Sequence, residues 1–237
     1  PNGREALCEV SLDIFQGECL VIAGSNGSGK TVLMHILAGL SKPSSGRLFF
    51  RAKALPNCLK AIRREVGLVF QDADAQLIGE TVAQDIAYGP RERGFSVEET
   101  KAVCGAALRD AGLEGKEDCV PATLSGGEKR RLAVAGILAT GSRCIIMDEP
   151  FANLDWPGIR QVLSIIETLR RAGHSLVILT HELEKVLAHA DRLLILDRGR
   201  VRDSGRPVEV LDRGVAAWGI RDPRHSYKGV EDCTWLD

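Results

Sequence analysis

Four short groups of residues in this sequence have the types and spacing needed to handle a polyphosphate. The first is Gly24-Ser25-Asn26-Gly27-Ser28-Gly29-Lys30-Thr31. Its glycines let the backbone turn tightly and aim successive N–H groups into one concavity. Lys30 is spaced to reach the β- and γ-phosphates of a nucleoside triphosphate, and the Thr31 hydroxyl to hold Mg²⁺. The second group is Asp148-Glu149-Pro150, two carboxylates at the end of an apolar run. Beside a phosphate loop, Asp148 belongs on the Mg²⁺ shell, and Glu149 can orient or deprotonate an attacking water. The third is His181, which follows the run Ser175–Leu179 and is expected to face the γ-phosphate or clamp Glu149. The fourth is Ser125-Gly126-Gly127, a capping serine followed by two glycines whose N–H groups open a helix. That is a second anion site with no phosphate of its own, so its ligand is expected on another copy of the protein.

These groups need elements to hold them. Leu20–Ala23 reads as a buried strand, and the spacing of Val32, Leu33, Ile36, Leu37 and Leu40 is helical, so the glycine loop lies between strand and helix. Such a helix start presents its positive dipole end to the anion. Val10–Ile14 alternates apolar and polar residues and predicts a strand with one wet face, and Arg47–Arg51 and Val66–Phe70 predict two more. Leu59–Glu65 predicts a helix. Between about residues 72 and 138 strand signals give way to helical ones, at Thr81–Tyr88, Val97–Ala111 and Ser125–Leu138, with breaks at Gly89-Pro90, Gly112 and Pro121. Strands resume at Cys144–Met147, Ser175–Leu179 and Leu193–Leu196, with a helix over Trp156–Arg171. Strands alternating with helices imply a parallel sheet, with catalytic groups at the carboxyl ends of its strands. A short helix and a tail follow Pro207.

Composition narrows the class. With 31 basic and 32 acidic side chains in 237 residues the charge is balanced, which argues against a general nucleic-acid binder. No apolar run approaches the length of a membrane span. Seven cysteines are scattered singly, as expected of reduced cytosolic thiols rather than disulfides or a zinc site. His35, His174, His189 and His225 lack the support His181 has and are read as ordinary residues. Lys129, Arg130 and Arg131 read as a solvated helix face. The chain starts at Pro1 and soon enters the segment 6–15, which leads to the expectation that natural first residues are missing.

Taken in order, Gly24–Thr31, Gln71, Leu124–Glu128, Cys144–Glu149, Asn153-Leu154-Asp155 and His181 resemble the Walker A, Q-loop, signature, Walker B, D-loop and H-switch of ATP-binding cassette (ABC) ATPases. The resemblance covers roughly residues 5–212. It implies an α/β P-loop NTPase (RecA-like) core at 1–71 and 140–206, with a mainly parallel sheet and an antiparallel β edge. It also implies an inserted α-helical subdomain at 72–139, and a C-terminal helix and tail at 207–237. It implies ATP and Mg²⁺ as ligands, Gln71 as both a catalytic and a metal-contacting residue, and a head-to-tail dimer in which Ser125, Gly126 and Gly127 meet the ATP of the partner protomer. The family normally stacks adenine on an aromatic just before the segment matching 4–12. None stands there, the matching position falling at or before Pro1, so residues 1–237 are expected to bind ATP more weakly than the full chain by one base–aromatic stack, roughly 1–3 kcal/mol. The runs Val69–Leu77, Thr81–Pro90 and Leu124–Gly136 look like those of energy-coupling factor and cobalt-type importers. These pair two ATPases with a transmembrane coupling protein and a small substrate-binding membrane protein for a vitamin or metal ion. The resemblance thus implies a peripheral ATPase on the cytoplasmic face of the cell membrane. The alternatives are an exporter ATPase or a soluble ABC protein acting on nucleic acid. No coiled coil or zinc module stands between Gln71 and the signature, so no nucleic-acid partner is expected.

Overall fold

The computed structural model describes residues 5–224. Its centre is a six-stranded sheet. β1 (Cys19–Ala23) leads through the glycine loop into α1 (Lys30–Leu37), and a two-stranded ribbon, β2 (Phe49–Phe50) and β3 (Lys53–Ala54), follows. Next come α2 (Leu59–Glu65) and β4 (Val66–Val69), then three helices: α3 (Val82–Glu92), α4 (Val97–Asp110) and α5 (Gly126–Ala139). The chain returns through β5 (Cys144–Asp148), α6 (Trp156–Arg171), β6 (Ser175–Thr180) and the short α7 (Leu183–Val186). It closes with β7 (Arg192–Asp197), β8 (Arg200–Gly205) and α8 (Pro207–Asp212). The strand order is β4-β5-β6-β1-β7-β8, parallel throughout except for β8, which runs antiparallel to β7 at the edge.

Both faces of the sheet are covered, so the middle residues of its central strands are apolar in succession rather than alternately. Leu20, Ile22, Ile146, Val177 and Leu194 face Leu33 and Met34 of α1. Val21, Ile145, Met147, Leu176 and Ile178 face the other way, onto Ile159, Val162 and Ile166 of α6 and Val134 and Ile137 of α5. A separate cluster, built from Val82, Ile86, Cys104, Leu108 and Leu132, holds α3, α4 and α5 together. α5 therefore belongs to both, with Ala133, Val134 and Ile137 on the sheet and Leu132, Ala135 and Ala139 among the helices. Gly67 permits this, because a Cβ there would lie 2.1 Å from Ile137 Cγ2.

Three sequence expectations need correction. Residues 10–14 alternate in exposure and put Val10, Leu12 and Ile14 against the α1 side of the sheet, but their backbone pairs with no described strand. Alternation reports a wet and a dry face; a strand also needs an adjacent unpaired edge. The strand expected at Arg47–Arg51 is only two residues long, because Arg51 and Ala52 both take positive φ (48° and 62°) and turn the chain back at once as a tight hairpin. Gly89-Pro90 does not break α3. Pro90 lies in its last turn, where the Arg93 N–H still reaches the Gly89 carbonyl at 3.1 Å. Gly89 is small because a Cβ there would meet Thr140 Cγ2 at 2.4 Å.

Candidate functional site

The glycine loop leaves β1 at its carboxyl end and delivers Gly29 to the N-terminus of α1 with φ 106°, a conformation that strains any residue with a Cβ. Gly24 is required for a different reason: a Cβ there would stand 2.3 Å from the Leu196 carbonyl oxygen. No side chain caps α1 and no acid lies in its first turn. The other long helices are all closed by their own side chains, α3 by Thr81, α4 by Ser96, α5 by Ser125 and α6 by Asp155. Since the ladder of α1 begins only with Leu33 N–H on the Gly29 carbonyl, the N–H groups ahead of it are left for an external anion.

Lys30 is buried and donates to the Gly24 carbonyl at 2.6 Å and the Ser25 carbonyl at 3.3 Å. It also approaches Glu149 Oε1 at 3.6 Å. Asp148 and Glu149 arrive on β5, paired in register with β6, and both are more than nine-tenths buried. Glu149 adopts φ 44° and anchors its N–H on the Leu179 carbonyl at 2.8 Å, a strained backbone that aims its carboxylate back toward Lys30. At the end of β6, His181 Nδ1 lies 3.0 Å from Glu149 Oε1, and the His181 backbone N–H is 3.4 Å from Oε2. Burial, and then the neighbouring Glu149 charge, push the Asp148 carboxyl up from its ordinary value, while Lys30, His35 and a hydrogen bond with Thr31 pull it back. Two buried carboxylates with one lysine beside Glu149 favour an added cation.

A cleft of about 800 Å³ opens over these groups, lined by Asn26, Gly27, Ser28, Gly29, Lys30, Thr31, Gln71, Asp148 and Glu149. Glu5, Ala6, Arg198 and Gly199 also line it, with the Gly199 N–H on the Ser28 carbonyl at 2.8 Å; sequence reasoning did not single them out, and the Arg198-Gly199 turn between β7 and β8 was the available signal. Gly24 and Ser25 form the base of the loop, and His181 enters through Glu149. The remaining expected residues, Ser125, Gly126 and Gly127, are not among those lining the cleft. They sit at the start of α5 beside Leu154 and Gly158, so this candidate anion site lies apart from the cleft of its own chain. It is also partly self-satisfied. Ser125 Oγ accepts from the Glu128 N–H at 3.3 Å and Glu128 Oε2 from the Ser125 N–H at 2.9 Å. Gly126 and Gly127 precede the helical ladder, which begins with Lys129 N–H on the Ser125 carbonyl. The Lys116 ammonium beside Glu128, helped by the Ser125 N–H, holds that carboxyl down at about 2.

Arg130 is the residue the sequence reading misplaced. It is 6% exposed rather than solvated. Its guanidinium donates to the Gln71 carbonyl at 2.7 Å, to the Ala152 carbonyl at 3.4 Å and, more closely, to the Pro150 carbonyl. Lys129 and Arg131 beside it are half-buried and paired, with Asp74 and Glu128; in sequence the buried arginine looks like the rest of the basic run, because its partners are backbone carbonyls that no motif reveals. His189 pairs with Glu167 at 3.1 Å, while His225 lies outside the described residues, as does the position expected for an adenine-stacking aromatic.

A parallel sheet with an uncapped glycine loop, buried lysine and strand-end carboxylates defines a P-loop nucleotide-binding protein. Residues 7–152 match the ABC transporter family, and the chain belongs to it. It is 40% identical over 214 residues to the energy-coupling factor transporter ATP-binding protein EcfA2 of Methanospirillum hungatei, covering 89% of this chain and 54% of that protein. The chain thus spans about half the length of that relative. It superposes on cbiO1 from Clostridium perfringens, part of the ABC transporter complex cbiONQ, with TM-score 0.81 and 34% identity, over 87% of this chain and 84% of that one. It also resembles the dimeric ABC transporter cassette MJ0796, with TM-score 0.75 and 29% identity, over 86% and 93% of the two chains.

Proposed function

We propose that this chain is the ATP-hydrolysing subunit of an energy-coupling factor type importer for a vitamin or transition-metal ion, working at the cytoplasmic face of the cell membrane. The observation that carries this reading is the Glu149 carboxylate, buried beside Asp148 and held between Lys30 and His181 under an uncapped helix N-terminus. Gly24, Ser25, Asn26, Gly27, Ser28 and Gly29 wrap the phosphates with main-chain N–H groups, and Lys30 turns from the Gly24 and Ser25 carbonyls onto the β- and γ-oxygens. Glu149 then takes the proton of the attacking water, and His181 holds Glu149 and the γ-phosphate in register.

Mg²⁺ fits the donor set: the Thr31 hydroxyl, Asp148 and Gln71 supply few protein oxygens, as this cation prefers when phosphates and water complete its shell. Bound there, Mg²⁺ supplies charge neutralisation on the β- and γ-phosphates. The site on α5 completes the account, since Ser125, Gly126 and Gly127 are separate from their own cleft and close a second protomer's ATP in a head-to-tail pair. ATP favours the closed pair because it touches both protomers only there, and hydrolysis removes the shared contacts.

Residues 72–139 act as the helical unit between the core segments 1–71 and 140–206, with 207–237 as a C-terminal extension. Through the helical unit the pair drives a transmembrane coupling protein and a substrate-binding membrane protein, with no nucleic acid involved. No helix among the described residues is long and apolar enough to cross a membrane. The test is capture of the full-length tagged protein from detergent-solubilised membranes of its source. Recovery of a polytopic coupling protein with a small substrate-binding membrane protein is expected. Recovery of ribosomes, nucleic acid or soluble proteins alone would overturn the importer reading.

A further inference from the structure

We propose that Arg130 is a positioning residue of the ATP site, tying the helix that opens with Ser125-Gly126-Gly127 to Gln71 and to the turn that follows Glu149. The inference rests on the ATPase reading above. One guanidinium, on the second turn of α5, bonds three carbonyls from two different loops: Gln71 on one side, Pro150 and Ala152 on the other. Pro150 follows Glu149 directly, and the Ala152 N–H closes the same turn onto the Glu149 carbonyl at 3.1 Å.

The Gln71 loop is itself a compact body. Gln76 folds it back on β4, accepting from the Phe70 N–H at 3.1 Å and donating to the Leu68 carbonyl at 2.9 Å. Lys129, next to Arg130, adds a second latch to it through Asp74 at 2.6 Å. Neither Gln71 nor the Glu149 turn can shift relative to α5 without breaking a bond to Arg130.

Mere packing does not account for this residue. A guanidinium buried with no carboxylate in contact, Asp72 acting only at a distance, is costly, and its Nε is left with no partner, whereas a methionine of similar length would fill the space more readily. What a methionine lacks is the fork that reaches both loops at once. When an anion engages Gly126 and Gly127, the resulting set of α5 is carried by Arg130 to the Gln71 and Glu149 of the same chain. The two nucleotide sites of a pair are thereby coupled.

The test compares wild type with Arg130→Met and Arg130→Lys. It measures Mg-ATP affinity, turnover per nucleotide-binding site, the Mg²⁺ dependence of turnover at saturating ATP, and Tm. Arg130 does not touch the phosphate loop, so Kd should stay within about threefold while turnover per site falls at least about tenfold. The Mg²⁺ concentration for half-maximal turnover should rise as Gln71 is released, and the Hill coefficient for ATP should fall toward one. Lysine, with charge but no fork, should recover only part of the loss, and it decides the matter if the methionine variant does not fold. Turnover per binding site within about twofold of wild type in the lysine variant, with unchanged Mg²⁺ dependence and Hill coefficient, would overturn the proposal. Wild-type protein that binds no ATP would instead defeat the ATPase reading on which it rests.

Discussion

At the scale of single residues the site depends on a few charges held where water is scarce. Lys30 is buried against two loop carbonyls and Glu149, so its ammonium is already desolvated and aimed when phosphate arrives. Lys30→Ala should raise the Kd for ATP by about 100-fold or more, the loss of charge-assisted bonds to two phosphates; titration with a fluorescent ATP analogue checks this, and retained affinity would remove Lys30 from the phosphates. His181→Ala should leave affinity within about threefold and lower turnover at least about tenfold, because Glu149 loses a partner at 3.0 Å. Steady-state ATPase assays and equilibrium binding separate the two effects. These residues were legible in the sequence because each belongs to a motif whose spacing is fixed by the phosphate it meets. Arg130 was not, since its partners are carbonyls contributed by residues 71, 150 and 152.

Among the elements, α5 carries the most. Its first turn, proposed above as an anion site, is closed by a capping box, and a Lys116–Glu128 ion pair sits at that end. Ser125→Ala should cost about 1 kcal/mol of stability, read as a lowered urea midpoint. The depressed Glu128 carboxyl has a pH consequence with a definite sign. Its contribution is fully present above the ordinary glutamate range and disappears as pH falls toward about 2, where the folded-state carboxylate takes up its proton. The Tm difference between wild type and Glu128→Gln should therefore shrink on acidification from pH ~5 toward pH ~2.5, a trend differential scanning calorimetry resolves. A constant difference would mean that the Lys116 pair does not hold Glu128. Close approach matters equally on the opposite side of α5, where Gly67→Val would drive a side chain into Ile137 and should cost about 1–3 kcal/mol in denaturant unfolding. Helices α4 and α6 and the central strands followed the sequence pattern closely, because their apolar residues match the faces they bury, while α5, apolar nearly all round, is buried in both clusters. The pattern overreached at residues 10–14 and stopped α3 too soon at Gly89-Pro90, since strand pairing and helix–helix contact depend on neighbours far away in sequence. It also passed over β8, whose burial alternates weakly at the sheet edge.

For the molecule as a whole, the cleft over Lys30 and the Ser125-Gly126-Gly127 start of α5 lie apart among the described residues. The proposed head-to-tail pair would bring the two together across protomers. The most direct test uses the Glu149→Gln variant, in which proton transfer to the base is removed while the phosphate loop is intact. With Mg-ATP it should form a stable dimer by size-exclusion chromatography with light scattering, retaining two ATP molecules per dimer and turning over negligibly. Wild type should pass through the same dimer and return to monomer as ATP is consumed. A Glu149→Gln variant that hydrolyses ATP normally, or that saturates with ATP and remains monomeric, would contradict the account.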